Sequence, residues 1–253
     1  MQFSSTIVAV WVVVSVAILP RPLHAQDAAP APLSHSTQDA ADLESAPSTW
    51  RGAFEDSLRL LLLEHATRLA FQEKTRRELG GNFFVDYRRS LKVPDTWDDG
   101  DGTLVNYVGH PIHGAAAGFI WLDHEDGAHD PRLGFSKAYW ASRGRATAWS
   151  AAYSLQFEFG PLSEASVGNV GMHPETIGWV DHVMTPAGAL GFMVFEDVAD
   201  RYVVTRIESW TRNQLIRALV RMALNPSRTM SNGVQGRALW YRPARPLNYL
   251  RSP

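Results

Sequence analysis

Apolar and polar residues recur along most of this chain in blocks of helical period. No run shows the sustained alternation, bounded by hairpin dipeptides, that marks strands. Residues 49–79, "TWRGAFEDSLRLLLLEHATRLAFQEKTRREL", form the clearest block. Phe54, Leu58, Leu61, Leu62, His65 and Leu69 fall at three- and four-residue steps, which predicts one buried stripe. Gly80-Gly81 stop that helix. A histidine on such a stripe, His65, reads as a packed and hydrogen-bonded core residue. Further helices are predicted over Pro111 to Leu122, Ser136 to about Phe159, and Trp179 to about Tyr202. A last amphipathic helix carries Trp210, Leu215, Leu219 and Met222 or Ala223 on one side and is ended by Pro226. Gly114 and Gly118, with alanines between them, and Gly188 with Gly191 predict surfaces on which another helix packs closely. The expected fold is mainly α: a single compact bundle of about five to seven helices with small-residue packing faces, over residues 50–242.

The two ends read differently. Residues 1–25 carry an apolar run from Ile7 to Leu19, then Pro20, and a small-x-small pattern ending at Ala25, which is the form of a signal peptide. Residues 26–49 are rich in Ala, Pro and Ser with few large apolar side chains. They cannot bury enough surface to offset chain entropy, so a disordered tether is expected. Residues 243–253 read as an irregular basic tail. An exported protein, periplasmic or associated with an envelope membrane, is the expectation. Thr103 to Leu122 lacks Asp, Glu, Lys and Arg, but Asn106, Gly109, His110, Pro111 and His113 make its first half unlike a lipid-facing helix. A helical domain docked on a membrane is favoured over a multi-spanning one.

Composition narrows the chemistry. The formal net charge of -2 argues against a nucleic-acid partner, leaving membrane lipid or an envelope protein. Nine tryptophans suit either an aromatic core or a polar–apolar boundary. With no cysteine there is no thiol nucleophile and no thiolate metal site. Neither a Gly-x-Ser-x-Gly elbow nor a phosphate-binding glycine loop is present.

Polar residues nevertheless sit where a plain core would hold Leu or Val. Asn106, His110 and His113 precede the small-residue helix. Ser150, Ser154 and Glu158 recur every four residues on one face, and Glu164 follows a Gly160-Pro161 turn. Asp181 and Thr185 share a face of the next long helix. The catalytic candidates are His110, His113, Glu158, Glu164 and Asp181, supported by Asn106, Ser154 and Thr185. No organic cofactor is implied, while two imidazoles with carboxylates allow a divalent transition metal or acid–base chemistry. The competing reading is a buried network in which Glu158 or Glu164 pairs with Arg143, Arg145 or His110. The acidic "DDGDG" at 98–102 reads as a solvated turn, and "LDHEDGAHDP" at 122–131, with His124, as a surface loop. Two functions follow: a structural or ligand-binding envelope protein, or an envelope hydrolase acting on lipid or cell wall.

The order "NYVGHPIHGAAAG", "WSAAYSLQFEFGPLSEASVGNVG", "DHVMTPAGALGF" and "NPSR" resembles a family of uncharacterised exported bacterial proteins, domains of unknown function. The resemblance runs from about Trp50 to Arg242 and implies an architecture and a set of motif positions. More distantly, His, then Glu, then Asp with a glycine-rich helix is similar to VanZ-like small membrane proteins. The chain departs from them in having short apolar runs and no Asp-Lys pair ahead of His110.

Overall fold

The computed structural model describes residues 49–125 and 133–247. The expected signal peptide and nearly all of the tether lie outside the described residues; Thr49 already opens the first helix. The fold is mainly helical, as the periodicity predicts. Its long elements are α1 (Thr49–Phe71), α4 (His110–His124), α5 (Lys137–Phe159) and α7 (Trp179–Ala199). Shorter ones are α2 (Glu73–Arg77), α3 (Phe83–Ser90), α6 (Glu164–Val167), α8 (Thr205–Trp210), α9 (Gln214–Leu224) and α10 (Pro226–Val234).

Helix α4 is the axis of the bundle, packed against α7, α5, α10 and α1. Ala115, Ala116, Ala117 and Ile120 are fully enclosed in it. Small residues set the helix spacing. A Cβ on Gly114 would lie 2.8 Å from Ser150 Oγ, and one on Gly118 would lie 2.7 Å from Met193 Sδ. A Cβ on Gly188 would stand 2.6 Å from Pro111 Cβ. Gly191 differs from the expectation: nothing lies within 4 Å of its Cβ position, because it is on the outer face of α7.

Three other expectations are corrected. Pro111 does not open its helix. The chain is already helical at Thr103 and runs through a π turn, Val105–Gly109, into α4. A wider turn just ahead of proline accommodates its ring and missing N–H. The last predicted helix is broken: α8 ends at Trp210, and Asn213 caps α9 by accepting from Leu215 N at 2.9 Å and Ile216 N at 3.2 Å. Pro226 ends α9 and also begins α10, at the first turn where proline is tolerated.

The third correction concerns which faces are buried. In α1 the enclosed residues are Ala53, Asp56, Ser57, Leu60, Leu61, Glu64 and His65, while Phe54 and Leu62 are exposed. The buried stripe is thus rotated toward polar groups, because partners across the bundle satisfy them. His124 Nε2 lies 2.8 Å from Asp56 Oδ2, and Trp149 Nε1 donates to Ser57 Oγ at 3.0 Å. His124 therefore closes α4 and is no part of a surface loop. Helix α7 buries Val180, Asp181, Thr185, Ala189, Met193, Glu196, Asp197 and Ala199, and exposes Trp179, Val183, Phe195 and Val198. In α9, Arg221 is 1% exposed while Leu215 is 58% and Leu219 51% exposed. Its apolar side, with Trp210 just before it, faces outward. Among the described residues no helix is long and apolar enough to cross a membrane.

Candidate functional site

The predicted residues lie in one buried polar region but divide among separate partners, several of them unpredicted. At the start of α4, His110 Nε2 lies 3.2 Å from Asp181 Oδ1 of α7. Thr185 Oγ1, one turn further along α7, lies 3.4 Å from His110 Nδ1. This arrangement suits an imidazole protonated at Nε2, donating to the carboxylate and accepting from the hydroxyl. His113 turns to a different neighbour: its Nδ1 is 3.2 Å from Glu64 Oε1 of α1. Tyr153 of α5 donates to the other oxygen of Glu64 at 2.7 Å. Glu164, first residue of α6, forms an ion pair with Arg68, Oε1 to Nε at 2.7 Å. Asn106 donates to Asp99 Oδ1 at 2.8 Å, and that oxygen also accepts from Asp101 N at 3.1 Å. Asp99 is 3% exposed, so the acidic turn is anchored in the interior on one side.

Glu158 lies among these groups at the end of α5. Burial is the main cause that raises its carboxyl well above the ordinary range, followed by the negative charges of Glu164 and Asp181; Arg68 opposes them. Glu64 is also raised, chiefly by burial, against the pull of His113, Tyr153 and Arg68. His113 is lowered, first by burial and further by His110, while Glu64 opposes. The network therefore tends toward neutral imidazole beside protonated carboxyl wherever the charges would be dry. Ser150 Oγ and Ser154 Oγ point into the same interior without a hydrogen-bond partner. His65 is the packed core residue expected of it: Nε2 is 3.1 Å from Leu162 O, and the ring stacks on Phe157.

Two sequence expectations fail here. A divalent metal centre is not supported: among the described residues no three His, Asp or Glu side chains are grouped to hold an ion. His110 and His113, three residues apart, diverge by roughly 60° around the axis of α4, so each meets its own carboxylate on a different helix. The arginines proposed as partners are also elsewhere. Arg143 donates to Asp197 Oδ2 from Nε at 2.9 Å and Nη2 at 2.7 Å, and Arg145 pairs with Glu125. From Arg143 to Glu158 the helix rises about 22 Å, beyond the reach of any side chain.

Sequence reasoning missed Glu64, Arg68, Tyr153 and Asp99. Glu64 and Arg68, four apart, interrupt the apolar run of α1 on one face, and that interruption was the available signal. A second network, outside the candidate cluster although Glu196 and Asp197 stand out as polar groups after an apolar run, lies at the far end of α7. There Asp197 also accepts from Tyr139 at 2.7 Å and from Arg228 at 2.7 Å. Glu196 takes Ser227 N at 2.6 Å and Arg228 N at 3.1 Å, capping α10 from another helix.

Comparison with protein-family models, with curated proteins and with solved structures finds no match in any of the three. What is established is a buried network of ion pairs and hydrogen bonds that ties α1, α4, α5, α6 and α7 together.

Proposed function

We propose that this is an exported cell-envelope protein that docks on a membrane surface in a structural or ligand-binding role, its interior polar network holding the helices in register. The observation that carries this reading is the inverted burial of α7 and α9. Both helices keep ionisable groups inside and present aromatic and aliphatic side chains outward. An amphipathic helix lying in the headgroup region buries such a face in lipid. The tryptophans at the surface, Trp50, Trp97, Trp140, Trp179 and Trp210, suit the same boundary. The test is quenching of tryptophan fluorescence by lipids labelled on their acyl chains, with Leu215→Ser/Leu219→Ser beside the parent. Quenching that falls in the double variant and in Trp210→Phe is expected. Vesicle-bound protein whose Trp210 contribution is not quenched would refute docking through this face.

One feature favours a second reading, an envelope hydrolase without a metal. Burial pushes the carboxyl of Glu158 toward its protonated form, and it feels the charge of Asp181 in the His110–Asp181 pair, which supports a reading of acid and base. His110→Ala separates the two. If the network is structural, the variant unfolds at lower temperature because Asp181 loses a buried partner. An unchanged unfolding temperature, together with loss of hydrolysis of envelope lipid or cell-wall substrate, favours the enzyme.

A further inference from the structure

The second network ends in a pocket whose chemistry is unlike that of the first. It is lined by Phe119 and Asp123 of α4, Arg228 and Asn232 of α10, and Arg237 and Arg242 from the chain that follows. It is a small recess open to solvent, with about 20 Å³ of room for the centre of a water-sized molecule. Three guanidinium groups line it against one carboxylate. The acids that pair with Arg228 and Arg242, Asp197 and Asp200, are not part of its wall.

Each arginine is held by its surroundings before any ligand arrives. Arg228 donates to Asp197 Oδ1 at 2.7 Å, and its guanidinium carbon stands over Phe119, 4.1 Å from the ring centre. Arg237 donates to Asp123 Oδ2 at 2.8 Å. Arg242 is 6% exposed, donates to Tyr241 O at 2.7 Å, and stands 3.4 Å from Asp200 Oδ1. Its second terminal nitrogen, Nη2, is buried with no hydrogen-bond partner. Asn232 fixes the turn that presents these arginines, donating to Leu239 O at 3.0 Å and Tyr241 O at 3.2 Å. Burial lowers Arg242 to about 10, and the charges of Arg228 and Arg221 act in the same direction. A dry guanidinium beside other cations, with a donor unused, gains most from an added anion.

We infer that this pocket binds a phosphoryl oxyanion, held by the guanidinium forks of Arg228, Arg237 and Arg242. Asp197, Asp200 and Asp123 pair with the three arginines, so the forks and the unused Nη2 of Arg242, and not a net charge, would select the ligand. Planar forks at fixed positions match the oxygens of a phosphate. The site is distinct from the His110–Asp181 network. Asp181 and Asp197 are sixteen residues apart on α7, about 24 Å along its axis. The phosphoryl group belongs either to free phosphate or to a lipid headgroup.

The experiment uses the full chain and two probes: inorganic phosphate by calorimetric titration, and phosphatidic-acid vesicles against phosphatidylcholine vesicles by co-sedimentation. Arg237→Gln, at a partly exposed position, should weaken binding by about tenfold or more, as loss of one charge-assisted contact does. Arg242→Lys keeps the charge but loses the fork, and should weaken it as well. Asp123→Asn removes the one repelling charge and should tighten it. Phosphate binding with this pattern supports a free-phosphate site. Vesicle binding that needs phosphatidic acid and is lost in Arg237→Gln supports a headgroup site. Absence of binding to both probes, or equal binding by parent, Arg237→Gln and Arg242→Lys, would overturn the inference.

Discussion

Glu196 offers a quantitative test of how this bundle manages buried charge. It is 0% exposed, and its two oxygens accept the first free N–H groups of α10, from Ser227 and Arg228. Burial, opposed by those hydrogen bonds and by Arg228, raises its carboxyl from 4.5 to about 7. Since the folded value lies above the unfolded one, the stabilisation is complete below pH 4.5. It is lost as pH rises through 7. The difference between 4.5 and about 7 corresponds to about 3 kcal/mol. Glu196→Gln removes the titration and keeps the volume. Its amide nitrogen, however, must face one of two backbone N–H donors, which costs about 1 kcal/mol at any pH. The two proteins should therefore exchange order. At pH 4 the variant is the less stable by about 1 kcal/mol, and at pH 8 the more stable by about 2 kcal/mol. Urea unfolding followed by circular dichroism at the two pH values measures both. Curves that stay parallel, with the same offset at pH 4 and pH 8, would show that Glu196 does not titrate in the folded state as this reasoning requires.

Glu158 should behave in the same direction. Its carboxyl is raised, so stability falls as pH climbs above the ordinary carboxyl range, and Glu158→Gln should flatten that fall in a pH series of thermal unfolding. Gly114→Ala should destabilise by about 1–3 kcal/mol, since its methyl meets Ser150 Oγ and the Thr185 carbonyl. Gly191→Ala, with open space at its Cβ, should instead gain up to about 1 kcal/mol. The two glycines, measured by chemical unfolding, separate packing from helix propensity, and equal effects would refute the close-approach account.

Much of the architecture was legible because helical period survives wherever a helix has two unlike faces. The small-residue face of α4 and the presence of α1, α5 and α7 follow from local pattern alone. Which face turns inward did not follow. In α9 the apolar side was the obvious interior choice, yet Arg221 is inside because Glu208 Oε1 at 2.5 Å and Trp240 O at 3.1 Å receive it. Those partners lie on other elements, and no window of sequence places them. The candidate site divides in the same way. His110, Asp181, Glu158 and Glu164 stood out as polar groups in apolar surroundings. Their pairings depended on helix rotation, so Arg143 and Arg145 were attached to the wrong acids, although the rise of α5 already placed them too far from Glu158. Glu64 and Tyr153 were hidden by neighbours of ordinary core character.

The cap on α10 has a consequence for the order in which the chain acquires structure. A helix with Asn, Asp, Ser or Thr capping its own first turn can begin to form as soon as those residues are together. The residue in the capping position of α10, Asn225, makes no such side-chain bond, and the group that satisfies Ser227 N and Arg228 N arrives from thirty residues upstream. A nine-residue segment of this kind gains little from local contacts and must wait for α7 to be in place. Its formation then covers Glu196 and brings Arg228 to Asp197. Helix α10 thus depends on α7 twice, for the carboxylate that caps it and for the acid that its Arg228 meets.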